Sequence, residues 1–265
     1  MTLQKLPFET IQKLQHHIKA ALALPDSENH PQSQLFGDEE ELPEPDSVSA
    51  LGNLFNFGAS LEASTYAPNT QGKWFISSTN PGSALLKLPG LWLRSDLRLV
   101  SYLYRVVEDG IGITWAVPES LSTTAQLENA LAESGDRKQP PRPTGALAEV
   151  MQAMDGDRSP LSFVIASLLK RELQELGALG KSCDWEHHRL IATLPTQVNW
   201  QWRLQTPPRD LSTKVQILDT GNAAIEFFTC RVSPPIAIFQ HIDHYQPSHY
   251  TPASLDRPIA VAVQR

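Results

Sequence analysis

Between Trp185 and Val263 the chain is a succession of β-rich runs, 185–194, 198–204, 214–218, 225–232, 236–245 and 258–263, joined by short turns with no helix between them. Parallel neighbours need a crossover of a dozen or more residues, so this half can only pair its strands antiparallel. Within VNWQWRLQ the alternation places Val198, Trp200, Trp202 and Leu204 on one face and Asn199, Gln201 and Arg203 on the other. Asp219-Thr220-Gly221-Asn222 supplies a turn between two of the runs. In the first half, GKWFISST reads as a strand, and Leu97–Val107 with Ile111–Val117 reads as a hairpin closed by Glu108-Asp109-Gly110.

Helical periodicity is confined to a few segments. Ser159-Pro160 is a strong start, because serine accepts a free amide and proline at the first position sacrifices no hydrogen bond. A helix from there should run to Gly177 or Gly180. Residues 7–24 carry Phe8, Ile11, Leu14, Ile18 and Leu22 at amphipathic spacing, and 123–134 reads as a short helix. Val48, Leu51, Leu54 and Phe55 suggest another over 47–63. Residues 25–46, rich in proline and holding the acidic run Asp38–Glu41, read as a flexible linker. The expected architecture is α+β: a curved antiparallel sheet packed against a long helix over 159–180, with an N-terminal helix (1–24) tethered through 25–46 to a single domain, 47–265.

Twenty-two Lys+Arg against 29 Asp+Glu give −7 at pH 7, which argues against a nucleic-acid partner. No apolar run reaches the roughly 20 residues of a spanning helix, and residues 1–13 lack the order of a secretory signal, so the expected location is cytoplasmic. Cys183 and Cys230 are too few for a disulfide framework or a thiolate metal site. No G-x-G-x-x-G, phosphate-binding GxxxxGK[ST] or G-x-S-x-G occurs, so no cofactor is called for.

On the helix beginning at Ser159, Glu172 falls within the stripe of Leu161, Ile165, Leu168, Leu169 and Leu176. A buried carboxylate needs a partner, and Arg189 or a histidine of the following strand is the expected one. Strand alternation allows only one of His187 and His188 inward, and it puts His241 and Asp243 on one face. Glu172, His188 and His241 are therefore the catalytic candidates. A metal would need His241, Asp243 and His249 to converge through a folded-back loop, and none is expected. Trp92, Tyr102, Tyr104 and Trp115, interleaved with Arg94, Arg98 and Arg105, could anchor a partner. Arg189, Asp243, Trp92, Arg98 and Tyr102 are the binding candidates.

The run SPLSFVIASLLKRELQELGALGKSCDWEHHRLI, residues 159–191, is similar to a segment of conserved soluble proteins of cyanobacteria and plastids. That resemblance implies an accessory role in the assembly or regulation of photosynthetic complexes and supplies no mechanism. The leading expectation is a non-enzymatic factor that binds a protein partner. The alternative is a small-molecule-binding domain or enzyme with a pocket between sheet and helix, using Glu172 and a histidine.

Overall fold

The computed structural model describes residues 2–29, 72–107, 109–196 and 198–263. Most of the segment read as a linker, and all of the helix expected over 47–63, lie outside the described residues.

The fold is α+β with antiparallel sheets. Strands β1 (Thr2–Lys5), β7 (His188–Ile191), β8 (Trp200–Trp202), β9 (Lys214–Ile217), β10 (Ala223–Arg231), β11 (Ala237–Tyr245) and β12 (Ala253–Ala262) make a seven-stranded sheet ordered β1-β9-β10-β11-β12-β8. Strand β7 takes the C-terminal half of the β10 edge that β9 takes at its N-terminal half. Gly221, at φ +84°, makes the β9–β10 turn possible: its amide donates to the Leu218 carbonyl at 2.8 Å. Strands β2 (Trp74–Ile76), β4 (Leu97–Val106) and β5 (Asp109–Pro118) form a second sheet, and β3 (Leu91–Leu93) pairs with β6 (Met154–Gly156).

The sheets are accompanied by helices α1 (Phe8–Ala21), α2 (Asp26–Asn29), α3 (Thr124–Ala132) and α4 (Pro160–Gln174). Ser159 caps α4 by accepting the Ser162 amide at 3.2 Å, with Pro160 behind it. The helix stops at Gln174, earlier than the spacing predicts. Gly177 turns the chain at φ +79°, and its carbonyl accepts Arg105 Nη1 at 2.6 Å.

Nearly the whole circumference of α4 is buried, from Ser162 through Leu173 apart from Lys170 and Glu172. It packs on strands of the two larger sheets and on α1, whose Ile11 and Ile18 join Phe163, Ile165, Leu168, Leu169 and Phe227 in the main core. Each such side chain stabilises the fold by about 1.5–3 kcal/mol through the area it takes from water. With β1 also paired to β9, the N-terminal helix docks on its own chain. The start of the proline-rich stretch is anchored too, because Glu28 of α2 is buried and its carboxylate accepts Ser77 Oγ at 2.6 Å and the Ser78 amide at 2.7 Å. No helix among the described residues is long and apolar enough to cross a membrane.

Candidate functional site

Two concave places among the described residues gather the candidate residues. The larger is a groove of about 880 Å³ between the short helical turn Pro81–Leu85, β3, β4 and α3. Leu85, Leu88, Leu91, Leu99 and Leu127 are the buried apolar side chains of its lining. Strand alternation buries Leu91 and turns its neighbour Trp92 outward, leaving it 45% exposed, while Leu86 stands 84% exposed. Arg98 also lines the groove and is paired with Glu119 at 2.5 Å. Among the described residues Arg98 is the one charged side chain of the lining, so what they offer is apolar contact rather than acid–base chemistry.

Trp92 and Arg98 are thus brought together as binding candidates, whereas Tyr102 is not. Tyr102 is fully buried with its hydroxyl donating to the Leu127 carbonyl at 3.1 Å, because β4 is covered by α3. Tyr104 packs against Trp74 with the rings tilted by 56°, and Trp115 donates to the Pro141 carbonyl at 2.7 Å. Arg105, expected at a partner surface, is wholly buried and donates to the Glu28, Tyr104 and Gly177 carbonyls.

The second place is a cavity of about 150 Å³ beside β7 and β11, lined by His188, His241, Asp256, Arg171, Asp184 and Trp185 among others. Behind it runs a hydrogen-bonded chain across four strands. Asp256 faces His241 in register on β12 and β11, and its Oδ1 lies 2.8 Å from His241 Nδ1. His241 Nε2 is 2.8 Å from Thr229 Oγ1 on β10, and Thr229 Oγ1 is 2.7 Å from His188 Nδ1 on β7. Arg171 reaches in from α4, donating to Asp243 at 2.7 and 3.1 Å and to Asp256 at 2.6 Å.

Burial works to raise the Asp256 pKa, but the hydrogen bond from His241 and the charge of Arg171 prevail and hold it well below the usual carboxylate range. Burial lowers both imidazoles, and the neighbouring His241 adds to the effect on His188, which falls to about 4. At neutral pH the carboxylate is ionised and both rings are neutral.

These states fix the direction of the chain. The ionised Asp256 requires Nδ1–H on His241, so His241 Nε2 is an acceptor and takes the Thr229 proton. The Thr229 oxygen then accepts Nδ1–H of His188, which leaves His188 Nε2 with a bare lone pair. That atom has no hydrogen-bond partner among the described residues. Asp256, His241 and Thr229 stand in the order of an acid, a base and a nucleophile. Thr229, however, is fully buried and already engaged by His188, so the chain of hydrogen bonds ends at Nε2 of His188, a residue that lines the cavity.

Glu172 is turned inward, with 11% of its side chain exposed, and burial raises its pKa against the lowering effects of Lys19, Trp185 and Gln15. Its partners correct the sequence expectation. They are Trp185 Nε1 at 2.9 Å, Gln15 Nε2 at 3.2 Å and Lys19 at 3.9 Å, because α1 docks where a strand was expected. Arg189 is exposed and donates to the Glu186 carbonyl. Nor does Glu172 share a site with the histidines. It lines a separate cavity of about 450 Å³, and Trp185 stands between, binding Glu172 through its indole N–H while its ring stacks on His188 at 5.4 Å.

The expected facing of the histidines matches the structure: His188 is buried, and His241 shares a face with Asp243. Asp243 is not open to a ligand, being fully buried on Arg171. Among the described residues no three His, Cys, Asp or Glu side chains converge as metal ligands. Both cysteines are free thiols, and Cys183 is pushed up to about 12 by burial and the nearby Glu186. Sequence reasoning missed Arg171, Thr229 and Asp256. The signal for Arg171 was its place one turn after Ser167 on the face that also meets the sheet.

The chain matches no family model, no curated protein and no solved structure.

Proposed function

We propose that the protein is a non-enzymatic accessory factor that holds an apolar segment of a protein partner in the groove beside Trp92. The observation that carries this reading is the groove itself: an apolar cleft of about 880 Å³ with Leu86 and Trp92 standing exposed in its lining. Trp and Arg are the side chains that most often anchor an interface, and Arg98, held by Glu119, stands at the rim beside Trp92. The resemblance of residues 159–191 to proteins of cyanobacteria and plastids favours a partner in the assembly or regulation of photosynthetic complexes, and a cytoplasmic location. The register shift between Ile238 and Phe239 would let the large sheet curve toward α4. With a net charge of −7, nucleic acid is not part of this reading.

A photo-crosslinking residue at position 86 tests it, with position 255, an exposed leucine of β12, as control. A single adduct at 86, absent at 255 and lost in Trp92→Ala, is the expected result. Equal labelling at both positions, or no adduct at 86, rejects the reading.

A further inference from the structure

We propose that the small cavity at His188 is a binding site for a small organic ammonium ion that also carries an acceptor oxygen. The inference is independent of the apolar groove and of any partner held there.

His188 is 3% exposed, and its Nε2, the nitrogen not taken by Thr229, lacks a hydrogen-bond partner among the described residues. A lone pair in that position costs free energy unless a donor reaches it. The nearest carboxylate is that of Asp184, whose Oδ2 lies 3.9 Å from Nε2. One nitrogen donor can bridge such a gap with two hydrogen bonds of about 2.9 Å each.

The charge around the cavity selects the sign of that donor. Its ionisable lining is Arg171 against Glu175, Asp184 and Asp256, one positive group and three negative, with both histidines neutral. Arg171 is answered by Asp243 and Asp256, and Arg231 approaches Asp184 at 3.2 Å. Counting Asp243 and Arg231 as well leaves two positive groups and four negative, so the balance is unchanged. Trp185 and Phe239 add aromatic surface, which favours a cation further. An anion would meet carboxylates and a bare imidazole lone pair.

Arg171 supplies the second half of the ligand. Its Nε is buried without a hydrogen-bond partner among the described residues, although both terminal nitrogens are engaged. An oxygen a few bonds from the ammonium group would accept that N–H. A volume of about 150 Å³ holds a molecule of only a few heavy atoms, which fits an amino alcohol and excludes a nucleotide or a sugar.

The test uses ethanolamine as probe, with acetate and ethylene glycol as controls, on the full chain labelled with ¹⁵N-histidine. Ethanolamine should shift the His188 Nε2 resonance saturably while neither control does. Asp184 is 61% exposed at its side chain, so Asp184→Asn leaves the fold intact and should weaken ethanolamine about tenfold. Trp92→Ala should bind ethanolamine as the unaltered chain does. A His188 resonance indifferent to ethanolamine overturns the proposal. So does an equal response to acetate or glycol, or an undiminished response in Asp184→Asn.

Discussion

Arg171 grips Asp243 with two hydrogen bonds, 2.7 and 3.1 Å long, where neither side chain is more than 5% exposed. The guanidinium lies over the Phe227 ring, 4.9 Å from its centroid, and its Nη2 donates to Asp256 as well as to Asp243. Burial acts against the Arg171 charge, but the hydrogen bonds and charges of Asp243 and Asp256 outweigh it and raise its pKa. The pair ties α4 to β11 and also sets the position of the carboxylate that orients His241.

Removing one partner of such a pair strands the other. Asp243→Ala is expected to cost about 3–5 kcal/mol, read from the urea midpoint of unfolding. Arg171→Met combined with Asp243→Leu should lose less than the sum of the two single changes, because neither charge is then left alone.

Acid should weaken the fold through the buried imidazoles. His188 falls from 6.5 to about 4 on folding, so between those values the unfolded chain binds more protons than the folded one. Stability is therefore complete above pH 6.5 and declines as pH drops toward 4. His241 is shifted in the same direction. Thermal unfolding followed from pH 7 to pH 4 should show a falling midpoint, with a shallower slope in His188→Gln.

Glu172 carries the opposite sign. Its pKa is raised on folding, chiefly by burial, so its contribution is favourable at low pH and is lost as pH rises through the folded value. Glu172→Gln keeps an oxygen for Trp185 and Gln15 and removes the buried charge. Its midpoint at pH 7 should equal or exceed that of the parent chain, with a change within about 1 kcal/mol because Lys19 is only a distant partner.

Glu28 anchors α2 to the residues that follow β2. Its carboxylate accepts Ser77 Oγ, the Ser78 amide and Ser78 Oγ, at 2.6, 2.7 and 2.7 Å. Glu28→Ala should cost about 1–3 kcal/mol by leaving those donors without partners. Hydrogen exchange at the Ser78 amide should accelerate in the same variant.

Much of the local structure was legible in the sequence. Ser159-Pro160 begins α4, the Leu97 run and its successor form the β4–β5 hairpin, and Gly221 turns between β9 and β10. The facing of Trp200 and Trp202 also followed from alternation, since the tryptophans pack against a core cluster while Gln201 and Arg203 are exposed. Strands β1, β3 and β6 were not legible. Each is three or four residues long, too short for alternation to rise above chance, and is a strand only because a distant partner pairs with it.

The candidate site divides in the same way. Sequence placed Glu172 inward, allowed only one of His187 and His188 to face the core and put His241 on the face of Asp243, because side-chain direction repeats with the local period of helix or strand. It did not give their partners. Arg171 meets Asp243 and Asp256 across 72 and 85 residues, and Trp185 parts Glu172 from the histidines. Periodicity is a property of neighbouring residues and so can be read along the chain. Which ionisable group answers which depends on how β10, β11 and β12 pair and where α4 lies on them, and that was decided only when distant segments packed.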